Sequence, residues 1–322
     1  MLVLKTLIRR AFHTAGGLHA VRRRTRGQLR ILMYHRFPQG LRGELEWQCS
    51  QIVRSYHPLS LKEAGQRMRA GEPIPPNAVV VTIDDGYRDF LEVAYPIFRS
   101  FQIPVTVFLT TGFLDGAWMW GDSVLYSLDH TRCQKIDLPV PSGNTISFVL
   151  ESQEQRNSAA VRIKAVAKRL PDGERRRLIE DLPAALGVEL PASPPRAYAA
   201  LSWDEVRQIS EHVDFGAHTK THPILSRVES TECLREEILG SKRRIEQELQ
   251  NTTKHFCYPN GLRGDIDERV LQVTREAGFE AAVMAEPGLN LPGTNLYQLR
   301  RIGVDPSHSR DPFLETVAGL RL

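Results

Sequence analysis

Cysteine is scarce: Cys49, Cys133, Cys233 and Cys257 are the only four in 322 residues, and no two form a CxxC pair. That excludes a disulfide-stapled framework and a paired-thiolate zinc site, and it favours a reducing compartment. Long apolar runs are missing as well. The longest uncharged ones, AVVVTI and IPVTVFLTTGFL, fall well short of the roughly 18 residues that span a bilayer, so no transmembrane helix is predicted. No internal repeat stands out, and 23 Gly and 20 Pro fit neither a fibrous nor a globally disordered chain. What is present, 322 residues with 41% hydrophobic content, suffices for one large soluble domain or two small ones with a sizeable core.

Acidic residues are absent until Glu44, whereas ten Lys and Arg precede it. Removing those ten from the 42 bases leaves 32 against 38 acids, so the formal charge of +4 belongs to an arm. It does not describe a nucleic-acid-binding face, and no nucleic-acid partner is expected. Residues 1–29 form this arm, in which Leu4, Leu7, Ile8 and Ala11 recur at helical spacing beside Lys5, Arg9 and Arg10. The pattern fits a basic amphipathic helix on an anionic membrane surface, and equally a terminal helix packed on its own domain. A secretory signal needs a longer apolar core than Leu2–Ile8, which Lys5 interrupts. The expected location is cytoplasmic, with export as the less favoured alternative; an arm lying on a membrane would place the chain at its inner face.

From residue 30 onward, short apolar runs alternate with helical patterns, the rhythm of an α/β fold with a mainly parallel sheet. Strands are predicted at residues 30–34, 78–83, 105–110, 213–217, 255–258 and 281–284. Helices are predicted at 44–55, 61–70, 89–101, 203–211, 230–249 and 267–277, with Ser202 as an N-cap and Gly278 as a stop. Residues 122–200 break the rhythm. They read as a hairpin around Pro141-Ser142-Gly143-Asn144 followed by charged helices and a Pro-rich exit, inserted between two strands of one barrel-like domain spanning 30–322.

Three clusters follow predicted strand ends, where α/β folds place their sites. In Thr82-Ile83-Asp84-Asp85-Gly86-Tyr87, two adjacent carboxylates repel unless a cation or a shared proton holds them; an ordinary Asp-Asp-Gly turn has the same sequence. In His218-Thr219-Lys220-Thr221-His222, histidines four apart converge on one ion if the stretch makes a helical turn, and imidazole with carboxylate suits zinc or another first-row ion. With ten histidines in the chain, such a spacing also arises by chance. In Phe256-Cys257-Tyr258-Pro259-Asn260-Gly261, a strand runs into a turn that can aim a backbone N–H at an anionic oxygen. Trp118 and Trp120 can stack on sugar rings or simply fill the core, and Asp122 beside them is polar lining.

Taken in order, these clusters resemble the polysaccharide deacetylase family, the NodB-homology domain of carbohydrate esterase family 4. TIDDGY is similar to its TFDDG motif, and HTKTH matches its H-[ST]-x-x-H motif. The resemblance implies a distorted (β/α) barrel and a hydrolase that removes N-acetyl groups from an amino-sugar polysaccharide or a lipid-linked glycan. It implies that Asp85, His218 and His222 bind a divalent metal, most often Zn²⁺, and that Asp84 is the catalytic base deprotonating the attacking water. Asn260 would supply an oxyanion N–H, with Tyr258, Trp120 and Arg301 as further oxyanion or substrate contacts. The usual C-terminal Leu-x-His is missing. Met33-Tyr34-His35 at the end of the first strand resembles members with a permuted motif order, which makes His35 the general acid; His308 is the alternative. The family's Arg-x-Pro-Tyr is also missing, so the brace on the catalytic Asp must come from elsewhere, with Arg300 or Arg301 within reach from the following strand. The same metal site would also serve an O-acetyl esterase, another amidase, or a catalytically silent glycan-binding relative.

Overall fold

The computed structural model describes residues 15–140, 143 and 145–321. The amphipathic pattern of residues 2–11 lies outside the described residues, as does most of the turn at 141–144. The strands are β1 Arg30–Tyr34, β2 His57–Pro58, β3 Ala78–Ile83, β4 Val105–Leu109, β5 Lys135–Pro139, β6 Thr145–Val149, β7 Val213–Ala217, β8 His255–Cys257, β9 Ala281–Pro287 and β10 Leu299–Gly303. Pairing runs β1-β10-β9-β8-β7-β4-β3 and returns from β3 to β1, closing a seven-stranded parallel barrel; β2 pairs with β3 outside the ring. The fold is the expected (β/α) barrel.

Local chemistry sets the elements. β3 reads AVVVTI and β4 VTVFL, and every residue of both is buried, as parallel strands covered on both faces require. Alternation then sorts their side chains. Val79, Val81 and Ile83 pack outward beneath the helices, whereas Ala78 and Val80 share the barrel interior with Ile31, Phe108, Cys257, Val283 and Leu299. Gly216 belongs to this packing: a Cβ there would stand 2.5 Å from the Phe108 ring, so only glycine lets that ring fill the interior.

Helix ends follow the sequence. Ser202 caps the helix Trp203–Ile209 in a reciprocal box with Glu205, and Gly278, at φ 75, ends the helix Glu268–Glu276 as a left-handed stop. The helix expected at 89–101 is instead a π-helical turn at Phe90–Ala94 leading into Tyr95–Ser100. Pro96 has no N–H to offer the ladder, which widens ahead of it.

Between β4 and β7 the helix Trp120–His130, the antiparallel hairpin β5–β6 and the helices Gln153–Ala167 and Asp172–Ala185 gather around their own core of Val124, Leu128, Phe148, Ile163, Leu178 and Leu182. The exit of this layer returns to the barrel through backbone bonds: Arg88 N–H to the Ala199 carbonyl at 2.9 Å and Leu201 N–H to the Gly86 carbonyl at 2.9 Å.

Candidate active site

The register of parallel pairing assembles the site. Tyr34 pairs with Ile83, so His35 and Asp84 emerge side by side at the same end of the barrel. Ala217 pairs with Phe256, which sets His218 beside Cys257. Asp84 keeps the inward phase of β3, while left-handed backbone at Asp85 (φ 76) and Gly86 (φ 88) ends the strand and turns the second carboxylate aside. A non-glycine residue at such an angle costs about 1–3 kcal/mol and persists only where its surroundings hold it.

The two acids therefore have different partners. Asp84 is clamped by the Arg301 guanidinium, Nη1 to Oδ1 at 2.6 Å and Nη2 to Oδ2 at 2.7 Å. Arg301 also donates to Thr82 Oγ1, the Met284 carbonyl and Cys257 Sγ. Burial raises the Asp84 carboxyl, but Arg301 outweighs it, helped by His218 and His35, and holds the group well below the usual carboxylate range. His35 Nε2 stands 3.7 Å from Asp84 Oδ2, and its side chain is 45% exposed, against 3% for Asp84.

Asp85 faces the histidines instead. Its Oδ1 lies 3.5 Å from His218 Nε2 and 3.4 Å from His222 Nε2 and, though buried, makes no hydrogen bond among the described residues. His218 Nδ1 lies 2.7 Å from the Cys257 carbonyl, which only accepts, so Nδ1 carries a proton. Burial lowers this imidazole, but Cys257, Asp85 and Asp84 outweigh it and raise it, so Nε2, facing Asp85, carries a proton that a bound metal would displace. Burial, with His218 adding to it, pushes His222 down to about 3 despite Asp85, leaving that imidazole neutral. One orphaned carboxylate oxygen and two imidazole nitrogens within 4.8 Å of one another fit a divalent ion of the zinc class. A second trio, Asp84, His218 and Cys257, is equally compact, but the Arg301 fork already supplies its positive charge.

The His218–His222 stretch is not the helical turn expected from its spacing. Positive φ at Thr219 (65) and His222 (56) folds it as an irregular loop. Glu237, from the helix Thr231–Leu249, accepts the N–H groups of Lys220 and Thr221 at 3.0 and 2.9 Å and the Thr221 hydroxyl at 2.7 Å. Thr219 Oγ1 accepts the His222 N–H at 3.1 Å, and the Trp120 indole N–H donates to the His222 carbonyl at 3.0 Å. Nothing in the motif itself marks Glu237, because its role depends on how a distant helix packs.

Two sequence-derived assignments require correction. Tyr258 does not contact substrate: it takes the outward phase after Cys257, is 1% exposed, and bonds the Tyr297 carbonyl. Arg301, also 1% exposed, is the brace on Asp84 and is not a substrate contact. Arg300 takes the opposite phase of β10 and has no part in the clamp. Asn260 sits in left-handed backbone (φ 57) at the turn after β8, and its buried Nδ2 makes no hydrogen bond among the described residues. His308 caps its own turn, Nδ1 accepting the Asp305 N–H, and does not join the cluster. Asp122 accepts the Tyr87 hydroxyl at 2.7 Å, and burial raises its carboxyl to about 6.

Comparison with known proteins bears on the family and the fold. Residues 71–282 match the family model described as polysaccharide deacetylase. A stretch of 49 residues is 43% identical to the poly-beta-1,6-N-acetyl-D-glucosamine N-deacetylase of Escherichia coli K12, covering 15% of this chain and only 7% of that relative. The deacetylase PplD of Streptococcus pyogenes, solved with acetate, has a TM-score of 0.59 at 18% identity over 91% of this chain and 99% of its own. IcaB from Ammonifex degensii has a TM-score of 0.57 at 16% identity, covering 92% and 98%.

Proposed function

Because the chain belongs to the polysaccharide deacetylase family, we propose that it hydrolyses N-acetyl groups from an amino-sugar polysaccharide, with Asp84 as base and His35 as acid. The observation that carries this reading is the division of labour between neighbouring carboxylates. Asp84 is fixed by Arg301 and reached by His35, whereas Asp85 is turned onto His218 and His222. The short match to a relative named for poly-beta-1,6-N-acetyl-D-glucosamine supports an N-acetylglucosamine polymer as substrate.

A divalent ion held by Asp85, His218 and His222 would polarise the acetyl carbonyl and acidify water. The chain supplies the proton handling. Asp84, kept ionised by Arg301, accepts the proton of the attacking water. His35, on the open side of Asp84, delivers a proton to the departing amine nitrogen as the C–N bond breaks. The Asn260 N–H at the turn after β8 is the oxyanion donor in this reading. Products are acetate and a free amino sugar.

The test is acetate release from β-1,6-linked N-acetylglucosamine oligomers before chelation, after chelation and after zinc is restored, with Asp84→Asn alongside. Release that requires both metal and Asp84 is expected. Release from O-acetylated sugars but not from these amides would overturn N-deacetylation.

A further inference from the structure

Resting on the deacetylase reading, we propose that the groove between the helix Asp172–Ala185 and the His218–His222 loop is a subsite for neighbouring sugars of the same glycan chain. It is a cavity of about 390 Å³ whose lining includes Trp118, Trp120, Ile179, Pro183, Leu190 and Thr221.

Continuity with the reacting centre comes first. Thr221 lies between the two metal-facing histidines, and Trp120, at the start of the helix Trp120–His130, holds the His222 carbonyl through its indole N–H at 3.0 Å. The groove wall and the catalytic loop are therefore one hydrogen-bonded unit, and a polymer leaving the site has this surface beside it.

Its chemistry suits a neutral sugar. The Trp118 ring and the aliphatic side chains of Ile179, Pro183 and Leu190 match the C–H face of a pyranose, and the Glu180 carboxylate in the same lining can bond ring hydroxyls, whereas the Trp120 ring is covered by Arg175 and the Thr221 hydroxyl is held by Glu237. Its two arginines carry no unmatched charge. Arg175 is paired with Asp172 at 2.6 Å, and Arg176 with Asp172 at 2.7 Å and Glu237 at 3.3 Å. An anionic ligand would have to break these pairs, whereas an N-acetylated sugar does not.

Trp118 is also held in place. Its indole N–H donates to the Pro191 carbonyl at 3.0 Å, and its ring tilts against Tyr126 and Tyr198 at centroid distances of 5.1 and 5.7 Å. An aromatic face fixed before binding loses little side-chain entropy when a sugar stacks on it. Ile179, Glu180, Pro183 and Leu190 of this lining come from the insertion at residues 122–200, whereas Trp118 and Trp120 directly precede it and Thr221 follows it.

The experiment compares kcat/KM for acetate release from N-acetylglucosamine monomer and hexamer, for the full chain and for Trp118→Ala and Ala117→Trp. Ala117 is exposed at the groove, so the larger side chain fills the groove without entering the core. The expected result is a hexamer preference in the parent and a hexamer-to-monomer ratio reduced about tenfold in both variants. Calorimetric binding of the hexamer to Asp84→Asn, with and without Ala117→Trp, separates this claim from the catalytic one. Hexamer binding weakened about tenfold by Ala117→Trp supports the subsite even if no acetate is released. An unchanged ratio and unchanged binding overturn it while leaving deacetylation intact, as does preferential binding of an acyl chain or an anionic glycan.

Discussion

Replacing Arg301 with Met tests the central pair most directly. Both Asp84 oxygens accept from Arg301, at 2.6 and 2.7 Å, with both side chains almost fully buried. Met preserves most of the volume and removes the charge, leaving a buried carboxylate with no fork, a defect that costs about 3–5 kcal/mol. At roughly 2 °C per kcal/mol for a chain of this size, Tm should fall on the order of 6–10 °C. The sign with pH follows from the depressed Asp84 carboxyl. The pair's contribution is fully present above the unfolded carboxyl pKa of about 3.9 and is lost only as pH falls through the lower folded value. The stability gap between parent and variant is therefore widest near neutrality and narrows in strong acid. Relieved of its partner, Asp84 titrates higher, so the acid limb of kcat/KM moves up in pH. Thermal melts from pH 3 to 8 and a double-mutant cycle with Asp84→Asn provide the measurements. The double variant should recover on the order of 2–3 kcal/mol relative to the sum of the singles. Strict additivity, or an unchanged Tm in Arg301→Met, would refute the reasoning.

His35→Ala should lower kcat by roughly 10²–10⁴-fold with little change in Tm or metal content, because the side chain is 45% exposed and lies outside the metal-facing trio; loss of metal would contradict the assigned role. Glu237→Ala should weaken zinc affinity about 10–100-fold, measured by competition with a chelating dye, since it releases the loop that carries His222. Asp122, raised to about 6 by burial, should contribute stability that is fully present below its unfolded pKa and is lost as pH rises through about 6. Melts of the parent against Asp122→Asn should therefore diverge by on the order of 2–3 kcal/mol between about pH 4 and 7, and parallel curves would show that the carboxyl titrates normally.

The barrel and the acid and histidine pairs were legible because strands and motifs are short-range signals. Six of the seven ring strands announce themselves as apolar runs, and Asp84-Asp85-Gly86 and His218–His222 fall directly after two of them. Arg301 was within reach of the same logic. Counting by twos from Leu299, which packs in the interior, places residue 301 inward and residue 300 outward, and the same count from Cys257 sends Tyr258 outward. The loop form of His218–His222 was not legible, because histidines four apart suggest a helical turn until a distant carboxylate is known to tie down the intervening N–H groups. Glu237 and the Trp120 bond to His222 arise only from packing between segments far apart in sequence.

The seam between β1 and β10 has a consequence of its own. It is paired at two positions, Leu32 with Ile302 and Met33 with Gly303, against five for β1–β3, although β7–β8, with one, is sparser still. Arg301 rides on β10, and Asp84 and His35 follow β3 and β1. An excursion that parts β1 from β10 would leave the acid beside its base but pull away the guanidinium that keeps the base ionised. If Asp84 is the base, catalytic competence would depend on this seam staying closed, and hydrogen exchange at Ile302 and Gly303 would report how often it opens.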